Sequence, residues 1–308
     1  MRRLLLENEQ KLDVFVWEEI GLAPFDELIV SWNAQRPAEG AYLIQVSVLM
    51  GEWSPWMDYA FWGVTEQYTY EQYLSSPAIQ VYQDSLEILE NRKANGFRVR
   101  VIAKGKATLN HFRTLYSSMI DHSVYVLNSE AADDVSINLG IGGLSQLALT
   151  DERSKRLCSP TSTTAIIRFL LNSTDLSPLA FADTIHDSAF DIYGNWVLNV
   201  AQASHELGSL WNCYVVRLKN FNQIIDQLKK GHPVVVSVKG QLKNSALSYE
   251  SGHLLVVKGY DSTLRQVICM DPAYASDELT HVKYDLSDFL EAWNRRKGLA
   301  YLFNDSCL

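Results

Sequence analysis

The stretch Arg156-Leu157-Cys158-Ser159-Pro160-Thr161-Ser162-Thr163-Thr164-Ala165-Ile166-Ile167-Arg168-Phe169-Leu170-Leu171 limits what this chain can fold into more than any other. From Ala165 onward apolar residues run round nearly the whole circumference of a helix, with Arg168 as the single charge, so the spacing predicts a helix enclosed by other elements. Ser159 is expected at the N-cap and Pro160 at the first helical position, where proline gives up only an amide that lacks a helical partner anyway. Cys158 then stands at the positive end of a rigid helix. Unpaired amides and the helix dipole favour an anion there, which lowers a thiol's pKa. An isolated cysteine in such a place is more often a small buried hydrophobe. The rest of the chain decides between the two readings.

With 308 residues the chain can bury a full core and divide into two domains. Its net charge of −9, with no basic stripe or Lys/Arg run, argues against nucleic acid or an anionic membrane surface as partner. Cys158, Cys213, Cys269 and Cys307 are far apart and lack metal-ligand spacing, so free thiols in a reducing compartment are expected, with no metal and no cofactor. The opening Met1-Arg2-Arg3-Leu4-Leu5-Leu6 starts like a signal peptide but gives way to Glu7-Asn8-Glu9, so a cytoplasmic location is expected from the sequence as written. No stretch is long enough to insert in a bilayer.

The first half reads mainly as strands: Leu12 to Trp17, Asp26 to Trp32, Ala41 to Leu49 and Phe97 to Ala103, separated by Gly21, Pro24, Pro37, Gly40, Gly51 and Gly96. Short strands at that spacing predict a sandwich. In the last of them Phe97, Val99, Val101 and Ala103 alternate inward while Arg98 and Arg100 face water. Asn110 to Met119 fits a helix or a strand and is taken as a strand. Trp32, Trp53, Trp56 and Trp62 suit either a sandwich core with some indoles at its rim or an aromatic platform for sugar or peptide. The small, acidic stretch Ser129 to Gly143 marks the boundary, giving a β-sandwich over 1–135 and a second domain over 136–308.

Helices are expected from Asn195 to Gly208, Phe221 to Lys230 and Ser287 to Lys297, with Ser287 as a cap. The apolar runs Pro233 to Val238, His253 to Gly259 and Gln266 to Asp271 are expected as strands of a sheet covered by these helices, an α+β arrangement. If the last two form a hairpin centred on Ser262, His253 lies directly opposite Asp271, with Cβ atoms about 4.5–5.5 Å apart. A carboxylate there would hold the imidazole in one tautomer, which is the base-and-orienter half of a catalytic triad with Cys158 as nucleophile. A slip of one residue would turn Asp271 to the other face. His232 suits a turn before a strand and Asp261 the hairpin loop. No other histidine has a comparable setting.

Ser145-Gln146, Cys158-Ser159-Pro160-Thr161-Ser162, Gly194-Asn195-Trp196, Gly231-His232-Pro233, Gly252-His253-Leu254 and Met270-Asp271-Pro272-Ala273, in this order, resemble the papain-like cysteine peptidases of the bacteriocin-processing type, peptidase family C-thirty-nine, in its stand-alone branch. The first half, with Trp53-Ser54-Pro55-Trp56, looks like the β-sandwich that precedes the peptidase domain in some bacterial members. The resemblance implies Cys158 as nucleophile, His253 as base and acid, Asp271 as orienter, and Gln146 as the glutamine that binds the oxyanion with the Cys158 amide. It also implies a peptide or protein substrate. Ser159 departs from the glycine many papain-like sequences carry there, and a required positive φ would penalise it. No transporter follows in this sequence, so processing of leader peptides during export does not carry over. Two other readings stay open: another thiol acyl chemistry, as in an amidase or acyltransferase, and a non-enzymatic binding module.

Overall fold

A computed structural model describes residues 1–6, 13–76, 78–128 and 134–306. Leu12, the acidic residues Glu7 and Glu9, Cys307 and part of the Ser129 to Gly143 stretch lie outside the described residues. In chain order the strands are β1 (Arg2–Leu5), β2 (Val14–Glu19), β3 (Glu27–Ala34), β4 (Ala41–Met50), β5 (Glu52–Trp53), β6 (Met57–Gly63), β7 (Gln67–Thr69), β8 (Glu71–Ser75), β9 (Ala78–Tyr82), β10 (Ser85–Ile88), β11 (Gly96–Lys104) and β12 (Phe112–Ile120). There follow β13 (Ser136–Asn138), α1 (Cys158–Leu171), α2 (Pro178–Ile185), α3 (Trp196–Leu207), β14 (Trp211–Arg217), α4 (Asn222–Lys229), β15 (Val234–Gly240), β16 (Tyr249–Asp261), β17 (Gln266–Met270), β18 (His281–Asp285), α5 (Leu286–Asn294) and β19 (Leu299–Asp305). Contacts divide the chain into two compact units, Met1–Tyr125 with His186–Ser209 and Val126–Ile185 with Leu210–Leu308.

The first unit is a sandwich of two antiparallel sheets, ordered β1-β12-β3-β10-β9-β8 and β2-β11-β4-β6-β7, with β5 folded back on β4. Alternation explains β11: Phe97, Val99 and Val101 are buried, Arg98 and Arg100 lie on the wetter face, and Ala103 near the strand end is only half-buried. Asn110 to Met119 is a strand from Phe112 onward, after a 3-10 turn at Leu109–His111. The tryptophans divide between two settings. Trp32 and Trp62 are fully buried core residues packed edge to face. Trp53 and Trp56 are half-buried on the outside, where the Arg98 guanidinium lies 4.6 and 4.5 Å from their ring centroids and that of Arg100 lies 4.4 Å from Trp56. These indole faces are covered by the protein's own arginines. α3 starts at Asn195, whose side chain accepts the Leu198 amide, ends at Gly208 and packs on β3. It therefore belongs by contact to the sandwich unit although it lies in the second half of the sequence.

The second unit is a seven-stranded antiparallel sheet ordered β14-β19-β15-β16-β17-β18, with β13 paired to β16. α1 packs on β16, α5 on β15, and α4 on both. β15 and β16 are near-continuous buried runs, as a covered sheet requires. The last helix starts earlier than its serine suggests: Asp285 is the N-cap and Ser287 is already helical. Gly259 is needed because β13 crosses close to it; a Cβ there would lie 2.2 Å from the Ile137 carbonyl oxygen.

Candidate active site

α1 begins at Cys158 itself, one residue ahead of the expected cap. Leu157 occupies the N-cap after a 3-10 turn at Ser154–Arg156, and the Thr161 amide donates to the Leu157 carbonyl. Pro160 still sits in the first turn, where a missing N–H costs nothing. Ser159 is helical and so needs no positive φ; its hydroxyl lies 3.1 Å from that of Tyr301. Cys158 is partly exposed, whereas Cys213 and Cys269 are buried.

The hairpin register differs from the expected one, and the difference matters. Asp261 pairs with Gln266, but a bulge at Lys258 shifts the ladder so that Val257 pairs with Cys269 and Val256 with Met270. Continued past Met270, this register sets Asp271 beside Leu255, so His253 is its diagonal neighbour and not its direct partner. Diagonal neighbours on one face are about 7–8 Å apart, within reach of long side chains. Without the bulge the loop register would set Asp271 beside Val256, pointing to the opposite face. The extra residue restores the face, and His253 Nε2 lies 2.8 Å from Asp271 Oδ1.

Asp271 is fully buried and satisfied on both oxygens. Oδ1 also accepts the Ala273 amide at 3.0 Å, and Oδ2 accepts the hydroxyls of Tyr249 and Tyr284, each at 2.7 Å. Burial pushes this carboxyl up, but the charge and hydrogen bond of His253, helped by the other donors, hold it below the usual range. Burial and then the neighbouring carboxylate push both tyrosine hydroxyls far up, so they remain donors. Tyr249 also stacks on the imidazole, with ring centroids 4.1 Å apart and planes 16° apart. Four residues of regular strand would hold these rings about 13 Å apart; the ladder irregularity between Val238 and Gly240 and the positive φ of Gly252 bring them together, and that glycine is the local mark of the bend. Tyr284 comes from β18 and carries no such local signal.

Cys158 stands close enough to the same imidazole for the two groups to shift each other's titration. Burial pulls His253 down, but the charge and hydrogen bond of Asp271, with those of Cys158, outweigh it and push the ring up to about 10. Burial pushes the Cys158 thiol up, yet His253 and the Leu254 and Ser159 backbone amides hold it below its ordinary value. The arrangement favours a thiolate–imidazolium pair. Cys269 shows the contrast, pushed well above the ordinary thiol range by burial.

Gln146 is buried; its backbone amide donates to the Pro272 carbonyl, and its Nε2 donates to the Ser154 carbonyl at 2.9 Å. It thus ties the residue after Asp271 to the turn before Cys158, with one N–H of the side-chain amide left over. Ser145 fixes this turn by accepting the Leu147 and Ala148 amides. His232 lies 3.2 Å from Asp305 and edge-on to Trp211, and Asp261 accepts the Leu264 amide in the hairpin loop, so neither joins this cluster. A cavity of about 760 Å³ lined by Gly140, Gly143, Arg168 and Asn172 lies at the other end of α1. Its lining on the helix begins at Ala165, about 10 Å along the axis from Cys158, and does not include Cys158, His253 or Asp271. Among the described residues no group of three or more His, Cys, Asp or Glu side chains could hold a metal ion, and no helix is long and apolar enough to cross a membrane.

A β-sandwich followed by a unit of helices on an antiparallel sheet, with a cysteine opening the first helix, is the α+β architecture of a papain-like chain. The profile of the Peptidase C39-like family matches residues 139–301, more than half of the chain. This chain belongs to that family. A solved Bacillus anthracis structure named as a C39-like peptidase is similar at 17% identity and a TM-score of 0.42, over 56% of this chain and 98% of the other. No curated protein matches the chain.

Proposed function

We propose that this protein is a cysteine peptidase that hydrolyses peptide or isopeptide bonds through a thioester on Cys158. The observation that carries the reading is the 2.8 Å contact of His253 Nε2 with Asp271 Oδ1, with the partly exposed Cys158 at the start of α1 near enough to the same ring for each to shift the other's titration. The thiolate attacks the carbonyl carbon of the scissile bond. The imidazolium then gives its proton to the leaving amine, and the neutral ring takes a proton from water as that water releases the acid. The Cys158 amide and the spare N–H of Gln146 bind the tetrahedral oxyanion, each donor worth roughly 2.7–4 kcal/mol where such groups have been removed. Asp271 keeps the ring in one orientation and stabilises its charged form.

The substrate class proposed is peptide or protein. Incubation with a proteome-derived peptide library, followed by mass spectrometry of new termini, tests it. Cleavage by the native protein and none by Cys158→Ala is expected. A competing amine in the same reaction separates hydrolysis from acyl transfer: release of free acids alone supports a peptidase, and amine adducts as main product support a transferase. Equal cleavage by Cys158→Ala would remove Cys158 from the reaction.

A further inference from the structure

Leu254, the residue after His253, has a free backbone edge. β17 ends at Met270, paired with Val256, because Pro272 cannot extend the ladder. Leu254 lies two residues before Val256, so its N–H and C=O point to the same side as those of Val256, past the end of β17. The first turn of α1 fills that place. The Leu254 carbonyl accepts the Ser162 hydroxyl at 3.0 Å, and the Leu254 amide is among the groups that hold the Cys158 thiol low. Cys158 and Ser162 are four residues apart and so occupy one helix face. One strand residue is therefore gripped by Ser162, on the helix face that also carries the thiol.

We infer that Ser162 is a positioning residue, whose bond to the Leu254 carbonyl fixes the height of α1 along β16 and so the approach of the Cys158 thiol to the His253 ring. The inference rests on the peptidase reading above. Ser162 is fully buried on the helix face toward β16. The nearby Thr161, Thr163 and Thr164 are also buried, yet their hydroxyls have no hydrogen-bond partner among the described residues, so a buried hydroxyl in this helix does not by itself imply a docking bond. Losing the Ser162 hydroxyl leaves the buried Leu254 carbonyl unpaired and lets the helix slide or tilt. The thiol then loses part of its support from the Leu254 amide and the imidazolium. The charged groups facing it are His253 and, behind that ring, Asp271.

The test is the pH dependence of Cys158 alkylation by iodoacetamide, read by peptide mass mapping beside thermal melts. Ser162→Ala is expected to melt cooperatively and to need about one pH unit more for half-maximal rate, a roughly tenfold loss of thiolate below that midpoint. Thr163→Val removes a hydroxyl with no partner and is expected to keep the native profile. A Ser162→Ala profile that overlays the native one overturns the inference, as does an equal shift in Thr163→Val. If Ser162→Ala does not melt cooperatively, Ser162→Cys, close in size with a weaker donor, is read instead. A smaller shift in the same direction is expected, and an unmoved profile overturns the proposal. Failure of the peptidase reading shows elsewhere, as cleavage that survives Cys158→Ala.

Discussion

Replacing Asp271 with asparagine should remove a charge while preserving a shape, which makes it the sharpest probe of this site. All four neighbours of the carboxylate are donors. The Ala273 amide cannot reverse its role, so the asparagine oxygen must stay at Oδ1, where it still accepts from His253 Nε2. The new NH2 then faces the Tyr249 and Tyr284 hydroxyls, which can rotate to accept. The imidazole keeps its orientation and tautomer but loses the anion that outweighs its burial. A return of His253 from about 10 to its ordinary 6.5 spans about 3.5 pH units, or ~5 kcal/mol at ~1.4 kcal/mol per unit. Since Cys158 still supports the ring, part of that should be realised. We expect Asp271→Asn to melt cooperatively, to move the acid limb of Cys158 alkylation upward and to slow cleavage at neutral pH by about 10²–10⁴-fold, comparable to removal of the acid in other triads. An alkylation profile with both limbs in place would refute the claim that the carboxylate supports the thiolate through the ring.

Tyr249→Phe and Tyr284→Phe each strip one donor from Asp271 Oδ2; each should cost about 1–3 kcal/mol in urea denaturation, and the double variant should lose activity first on the acid side as the carboxyl rises. Gly259→Ala forces a Cβ to within 2.2 Å of the Ile137 carbonyl oxygen, so β13 must shift, at a cost of about 1–3 kcal/mol visible as a lower Tm. The folded His253 titrates above its unfolded value, so the stability it contributes is complete below 6.5 and is lost as pH rises through about 10. The native Tm should therefore fall over that window, and His253→Gln should flatten the fall; an equal slope in the variant would contradict the assignment.

Much of this was legible before any coordinates. Continuous apolar runs found β15 and β16, caps and glycines bounded α3 and α4, and alternation gave the faces of β11. His253 and Asp271 were paired from hairpin arithmetic, and they do meet, though by a register two residues from the expected one. A bulge leaves no mark in composition, because Lys258 looks like any strand residue and only the ladder on both sides makes it the extra one. α2 and the edge strands β14 and β18 were not anticipated, since short segments of mixed pattern become helix or strand through their neighbours. The cap at Ser159 was displaced for a related reason: the 3-10 turn at Ser154–Arg156 feeds directly into α1, and Leu157 closes the join without a side-chain cap. Trp53 and Trp56 could not be assigned by spacing because their partners, Arg98 and Arg100, lie over forty residues away.

Lys258, which has no partner in β17, also separates two lengths of chain that would otherwise be tied together. Because the phase of the carboxyl is corrected within β16, the tip of the hairpin from Ser262 to Arg265 carries no duty in aiming it. Inserting residues at the tip lengthens an exposed connection and leaves the acid where it is, whereas drawing Lys258 into the ladder opposite Cys269 would set the acid beside Val256, on the opposite face. The site thus tolerates growth at its most accessible corner, which makes that corner the natural place to attach a reporter.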